Sequence, residues 1–116
     1  MDMGRRDRDS PNALLPGILD MLVLQTLTLG PLHGYGIARH IEQTSGDRLR
    51  IEEGSLYPAL QRLQLQGWVT SRWETSSTSR QARFYQLTRA GRKQLETEAS
   101  AFEQMLAAVA GVMQAS

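Results

Sequence analysis

Hydrophobic positions fall along this chain in stretches of different period, and each period predicts an element. Leu14 to Leu29 is apolar on nearly every side, with Pro16 and Gly17 near its start and Gly30-Pro31 at its end. A helix of that kind has to be buried almost all round. Gly34 to Thr44 (GYGIARHIEQT) turns Ile37, Ala38 and Ile41 inward as a second, short helix, and Ser45-Gly46-Asp47 ends it. Leu49 and Ile51 allow a short extended piece. Gly54 to Trp68 (GSLYPALQRLQLQGW) spaces Leu56, Leu60 and Leu63 by four and three, which is the apolar stripe of a third helix. After Gly67 the period becomes two. Trp68 to Glu74, the polar tip TSSTSRQ and a second run from Arg83 to Thr88 predict a two-stranded hairpin. From Arg89 onward a last helix carries Leu95, Ala99, Phe102, Leu106, Val109 and Met113 at alternating spacings of four and three.

This order defines the organisation. Residues 1–13 mix charges of both signs with few apolar side chains, which predicts a flexible N-terminal arm. Residues 14–88 form the body and residues 89–116 the C-terminal helix. The fold class is α+β, mainly α: three helices followed by a hairpin are the order of a winged helix-turn-helix. In that arrangement the third helix lies in the major groove of DNA and the hairpin flanks it.

The polar side of the third helix is more than solvated filler. Ser55, Tyr57, Pro58, Gln61 and Arg62 leave the leucine stripe, and all can make polar or stacking contacts. A helix N-terminus also presents free N–H groups and a positive dipole end to phosphate, and Gly54 lets that terminus approach closely. Each residue has a plainer alternative. Tyr57 can pack beneath the wing, and Gln61 and Arg62 can be a solvated face. Trp68, Trp73, Phe84 and Tyr85 are assigned to core and wing packing.

Composition narrows the chemistry. A chain of 116 residues, 41% of them hydrophobic, is one domain and short for an enzyme with a deep pocket. The absence of cysteine excludes disulfides and thiolate sites. His33 and His40 stand seven apart with no acid cluster at ligand spacing, Ser55 has no nucleophile elbow, and there is no Gly-rich phosphate loop. No catalytic residue, metal or cofactor is therefore expected. The longest apolar run, Ile18 to Leu29, is interrupted by Asp20, Gln25 and two threonines and is too short for a bilayer. The N-terminus lacks the apolar core of a signal peptide, so a cytoplasmic location is expected.

A net charge of +1 says nothing of nucleic acid, whereas its distribution does: between Glu74 and Glu96 stand Arg80, Arg83, Arg89, Arg92 and Lys93 and no acid. Arg80 and Arg83 are candidates for phosphate or minor-groove contact, the alternative being a merely soluble hairpin tip. Arg89, Arg92 and Lys93 open the last helix, where cations oppose the dipole, and so point to an external anion.

The segments LHGYGIARHIE, GSLYPALQRLQLQGWV and RFYQLTRAGRKQLE together resemble the PadR family of bacterial transcriptional regulators, in the shorter branch with a single C-terminal helix. The resemblance covers roughly Leu15 to Glu96. It implies a homodimeric winged helix that binds operator DNA, usually as a repressor released by a small effector. It places Tyr35, Ser55, Tyr57, Pro58 and the wing arginines near DNA. Glu52 and Glu53 depart from the pattern: they suit the helix dipole, cap the helix poorly and repel nearby phosphate. In some proteins of this family, aromatic residues of the last helix hold flat, apolar ligands across the dimer, and Phe102 with Met105 and Leu106 would serve that role here.

The series Leu95, Ala99, Phe102, Leu106, Val109, Met113 spans under three heptads, less than an autonomous coiled coil uses. A homodimer therefore has to recruit further surface, and the apolar first helix is the supplier; otherwise the stripe folds back on its own domain. A two-fold dimer implies an inverted-repeat operator. The alternative function is a winged-helix protein-interaction module without operator binding.

Overall fold

The computed structural model describes residues 16–75 and 77–115, so the N-terminal arm expected over residues 1–13 lies outside the described residues. The first helix, α1, runs over Pro16–Thr26 and tightens into a 3₁₀ turn, Leu27–Leu29. Leu19, Met21, Val23, Leu24 and Leu27 are buried, whereas Ile18 and Leu22 are half-buried and Leu29 is exposed. The helix is thus central without being enclosed on every side. Gly30 then takes a φ of 128°, a turn that an L side chain resists.

Helix α2 (Gly34–Thr44) inserts Ile37 and Ile41 into the core, and α3 (Glu53–Leu65) inserts Leu56, Ala59, Leu60 and Leu63. The glycine after α3 completes a Schellman motif: Gly67, at φ 80°, donates to the Gln64 carbonyl, and the Trp68 N–H donates to the Leu63 carbonyl. The chain leaves α3 already aimed into the sheet.

Two differences from the sequence pattern concern extended chain. Leu49 and Ile51 form no strand; their N–H groups donate instead to Ser45 Oγ (3.0 Å) and Glu42 Oε2 (2.9 Å). A strand unmarked by any alternation, β1 (Leu32–His33), pairs antiparallel with the second strand of the hairpin. The hairpin, β2 (Val69–Thr75) and β3 (Gln81–Leu87), therefore belongs to a three-stranded sheet of order β1-β3-β2, with β3 in the middle.

Helix α4 (Arg89–Gln114) starts under tight constraint. The Thr88 hydroxyl accepts from the Gly91 N–H (2.9 Å) as N-cap and donates to the Gly67 carbonyl (2.8 Å), locking the helix start to the end of α3. Leu95 is buried, and Phe102, half-buried, also packs on the core of its own domain. Beyond it Met105, Leu106, Val109, Val112 and Met113 are all exposed. At about 1.5 Å per residue the 26-residue helix is roughly 39 Å long, which accounts for an elongated molecule of 59 × 38 × 26 Å.

Candidate nucleic-acid interface

Helical geometry sorts the polar residues of α3. With Leu56, Ala59, Leu60 and Leu63 inward, the opposite face is centred on Gly54, Pro58, Gln61 and Leu65, all exposed. Pro58 has no N–H, so the Gly54 carbonyl loses its helical donor on this outward side. Beyond the adjoining residues and the backbone of its own helix, nothing among the described residues lies within 4 Å of where a Cβ on Gly54 would stand. The helix start has no side-chain cap from Glu52, in keeping with the poor capping expected of the two acids there.

The flanks of this face have different surroundings. Ser55 and Arg62, seven residues apart, lie toward α1, and Arg62 Nη2 donates to Asp20 Oδ1 at 2.8 Å. Base contact by Arg62 thus requires breaking an exposed ion pair, at a cost of about 1 kcal/mol or less. Tyr57 lies on the other flank, 47% exposed, and a Cβ on Gly34 would meet its hydroxyl at 2.7 Å. Its ring thus rests on the start of α2 and still reaches solvent. Tyr35, on the first turn of α2, is 70% exposed beside it.

His33 joins these parts. Its Nδ1 accepts from the Gly36 N–H at 2.9 Å and caps α2, and its ring meets Phe84 of β3 edge-on at 5.4 Å. Tyr85, in the next position of β3, is buried, which pushes its hydroxyl above the ordinary value; Arg83 acts in the opposite direction and Tyr57 in the same one. The phenol stays protonated through the physiological range.

On the wing, Trp73 pairs with Arg83 and Arg72 with Phe84. Alternation places Val69, Ser71 and Trp73 on one face with Tyr85 and Arg83, and Arg72, Glu74 and Gln86 on the other. Arg72 is held by Glu74 and by Gln86 Oε1 (2.9 Å), so the one acid of this hairpin is neutralised within its own face. Arg80 is exposed at the tip. Arg89, Arg92 and Lys93 line a shallow concavity with Ala90 and Glu96 at the foot of the wing, the length of a seven-residue strand, about 20 Å, from its tip. The cations of the sequence run thus form two groups.

Trp68 is half-buried against the core, as its assignment to packing requires, whereas Trp73 is 60% exposed, lies outside the core and stacks with Arg83 of the wing. Its place beside the polar tip is the signal in the sequence that could have shown this. Gln64 and Ser71, which join α3 to the wing through a 3.0 Å hydrogen bond, carry no signal in the sequence. Of the residues expected to hold an effector, Phe102 turns onto its own core and Met105 projects to solvent.

Residues 23–97 match the model of the transcriptional regulator PadR-like family. Over 79 residues, 68% of the chain, the sequence is 49% identical to an uncharacterized 37.1 kDa protein in transposon TN4556 of Streptomyces fradiae, of which it covers 21%. Over 78 residues, 67% of the chain, it is 28% identical to the negative transcriptional regulator PadR of Bacillus subtilis, of which it covers 43%. The chain therefore spans less than half the length of either relative. A crystal structure of a PadR family transcriptional regulator from Eggerthella lenta superposes with a TM-score of 0.75 at 26% identity, covering 86% of this chain and 85% of that one.

Proposed function

The chain belongs to the PadR-like family of transcriptional regulators, and from that premise we propose that it is a cytoplasmic, homodimeric repressor that binds an inverted-repeat DNA operator. The observation that carries this function is the outward face of α3, where Gly54, Pro58 and Gln61 stand exposed with Ser55 and Tyr57 on their flanks, beside a wing whose Arg80 and Arg83 are exposed. Gln61 and Pro58 meet base edges; Arg62 joins them when it leaves Asp20. Tyr35, Ser55 and Tyr57 hold the phosphate backbone, and Arg80 and Arg83 of the wing meet phosphate or the minor groove. Residues 14–88 act as the DNA-binding body and residues 89–116 as the dimerisation helix. Repression follows from occupancy of the operator, in line with the negative regulator to which the chain is similar.

One observation favours the other function, a protein-interaction module: Leu65 on the same face of α3 is 81% exposed. Salt dependence separates the two. Each phosphate neutralised contributes about 0.9 log unit of affinity per tenfold change in salt. Binding of the purified protein to duplex DNA should fall steeply as salt rises, and Arg80→Ala with Arg83→Ala should weaken binding and flatten the slope by about that amount for each phosphate no longer neutralised. A double variant with full affinity and full slope takes the wing out of the interface; a wild type that binds no duplex leaves the interaction module.

A further inference from the structure

The outer half of the wing holds an assembly that the core does not use. On the face of the sheet shared with buried Val69 and Tyr85, Trp73 lies beyond the core at 60% exposure. The Arg83 guanidinium carbon stands 5.5 Å from the centre of the Trp73 ring. Its Nε donates to Ser71 Oγ at 2.9 Å, and the same oxygen accepts from Gln64 Nε2 of α3 at 3.0 Å. One hydroxyl thus receives donors from the wing and from α3.

This arrangement fixes the plane of a cation in advance. With Nε committed to Ser71 and the guanidinium laid over the indole, Arg83 has lost much of its rotamer freedom before any ligand arrives, while its terminal amino groups make no hydrogen bond among the described residues. The acid nearest in sequence, Glu74, lies on the opposite face and is occupied by Arg72. An exposed tryptophan carrying an uncompensated, oriented arginine is the composition of a binding hot spot for an anionic partner. A guanidinium is drawn most strongly to the narrow minor groove of A·T-rich duplex, where the negative potential is enhanced.

We propose that Trp73 is a DNA contact in its own right: it and the Arg83 guanidinium enter the minor groove next to the site met by α3 and favour A·T pairs there. Ser71 and Gln64 are the positioning residues that hold this pair at a fixed distance from α3. The proposal rests on the operator-binding function above and adds to it a contact residue and a flank preference.

The protein has two tryptophans, so Trp68→Phe leaves Trp73 as the sole indole reporter. Titrate that variant with duplexes selected from random-sequence DNA by the wild type, resynthesised with A·T or G·C pairs in the flanks. Trp73 emission should change saturably with binding, and the A·T-flanked duplex should bind roughly tenfold tighter. In the two-tryptophan protein, Trp73→Ala and Ser71→Ala should shrink that preference to under about threefold, with thermal melting unchanged and the preference set by α3 retained. Duplex binding without any change in Trp73 emission, or full flank preference in Trp73→Ala, overturns the proposal and leaves operator binding intact. An equal response to the isolated single strands makes the indole a base-stacking platform and overturns the minor-groove assignment. A wild type that binds no duplex removes operator binding and this contact together.

Discussion

Leu106→Asp should convert the protein from a dimer into a folded monomer, visible by sedimentation at micromolar concentration. The helix α4 is 26 residues long, and only its first half, through Leu95 and Phe102, is used by its own domain. The second half exposes Met105, Leu106, Val109, Val112 and Met113 within three turns. An isolated helix with such a face gains little from being rigid, since each large apolar side chain left in water forgoes about 1.5–3 kcal/mol of burial. A second copy of the same helix, related by a two-fold axis, would be self-complementary and would cover it, with α1 adding area through half-buried Ile18 and Leu22. An aspartate at position 106 sets a charge into that seam twice, at a cost of several kcal/mol, so the dimer dissociation constant should rise by two orders of magnitude or more. Circular dichroism should stay close to wild type, because Leu106 lies outside the domain core. Operator affinity should fall as well, by about 100-fold, because the two half-sites are then bound without mutual linkage. A wild type that sediments as a monomer, or a Leu106→Asp variant that remains dimeric, removes α4 from the interface.

Gly91→Ala should be the most damaging single methyl in the chain. A Cβ there would overlap the Trp68 carbonyl oxygen and stand 2.9 Å from Leu87 Cδ1. The obstacle is backbone, and that backbone is not free to move: the Trp68 carbonyl accepts from the Thr88 N–H at 3.0 Å, and Thr88 both caps α4 and holds the Gly67 carbonyl. Relief must pull α4 away from the exit of α3 or break the cap. A loss of about 3 kcal/mol or more follows, a fall in melting temperature of roughly 10 °C or more for a domain of this size. A melting temperature within about 2 °C of wild type would show that the α4 start can yield. Gly34→Ala is the instructive contrast, since its new methyl meets the mobile end of Tyr57, which can swing away.

How far the fold can be inferred from the chain follows from the range of the interactions involved. Helix α2 has the bounds its periodicity predicts, Gly34 to Thr44, because Ile37 and Ile41 and the Ser45-Gly46 stop are local signals. The hairpin and the glycine exit of α3 are local in the same way. Strand β1 is two residues long and pairs with Tyr85 and Phe84 some fifty positions away, so no periodicity announces it. At Leu49 and Ile51 the β-forming side chains are outweighed by two side-chain acceptors, Ser45 and Glu42, presented from α2 and its C-terminal end. The motif around Gly91 is legible as a family pattern, but its physical reason, a carbonyl from the far side of the hairpin, emerges only once the chain is folded.

The candidate site divides along the same line. Helical spacing alone places Pro58 and Gln61 outward, and the structure has them so. The Asp20 partner of Arg62 is 42 positions away and cannot be read from the helix. Aromatic residues in strands usually pack, which is why the sequence assigns Trp73 to packing; the wing extends past the body it would pack against. His33, weighed from its sequence only as a metal ligand, is instead the cap of α2.

The operator itself provides the decisive measurement. Incubate the wild-type protein with random-sequence duplex DNA, recover the bound fraction and sequence it through several rounds. Two copies of α3 related by a two-fold axis can enter successive major grooves only with centres about 34 Å, or about 10 base pairs, apart, or a multiple of that. The recovered sequences should therefore converge on an inverted repeat with that spacing; a bound pool no different from the random input would contradict operator recognition by this chain.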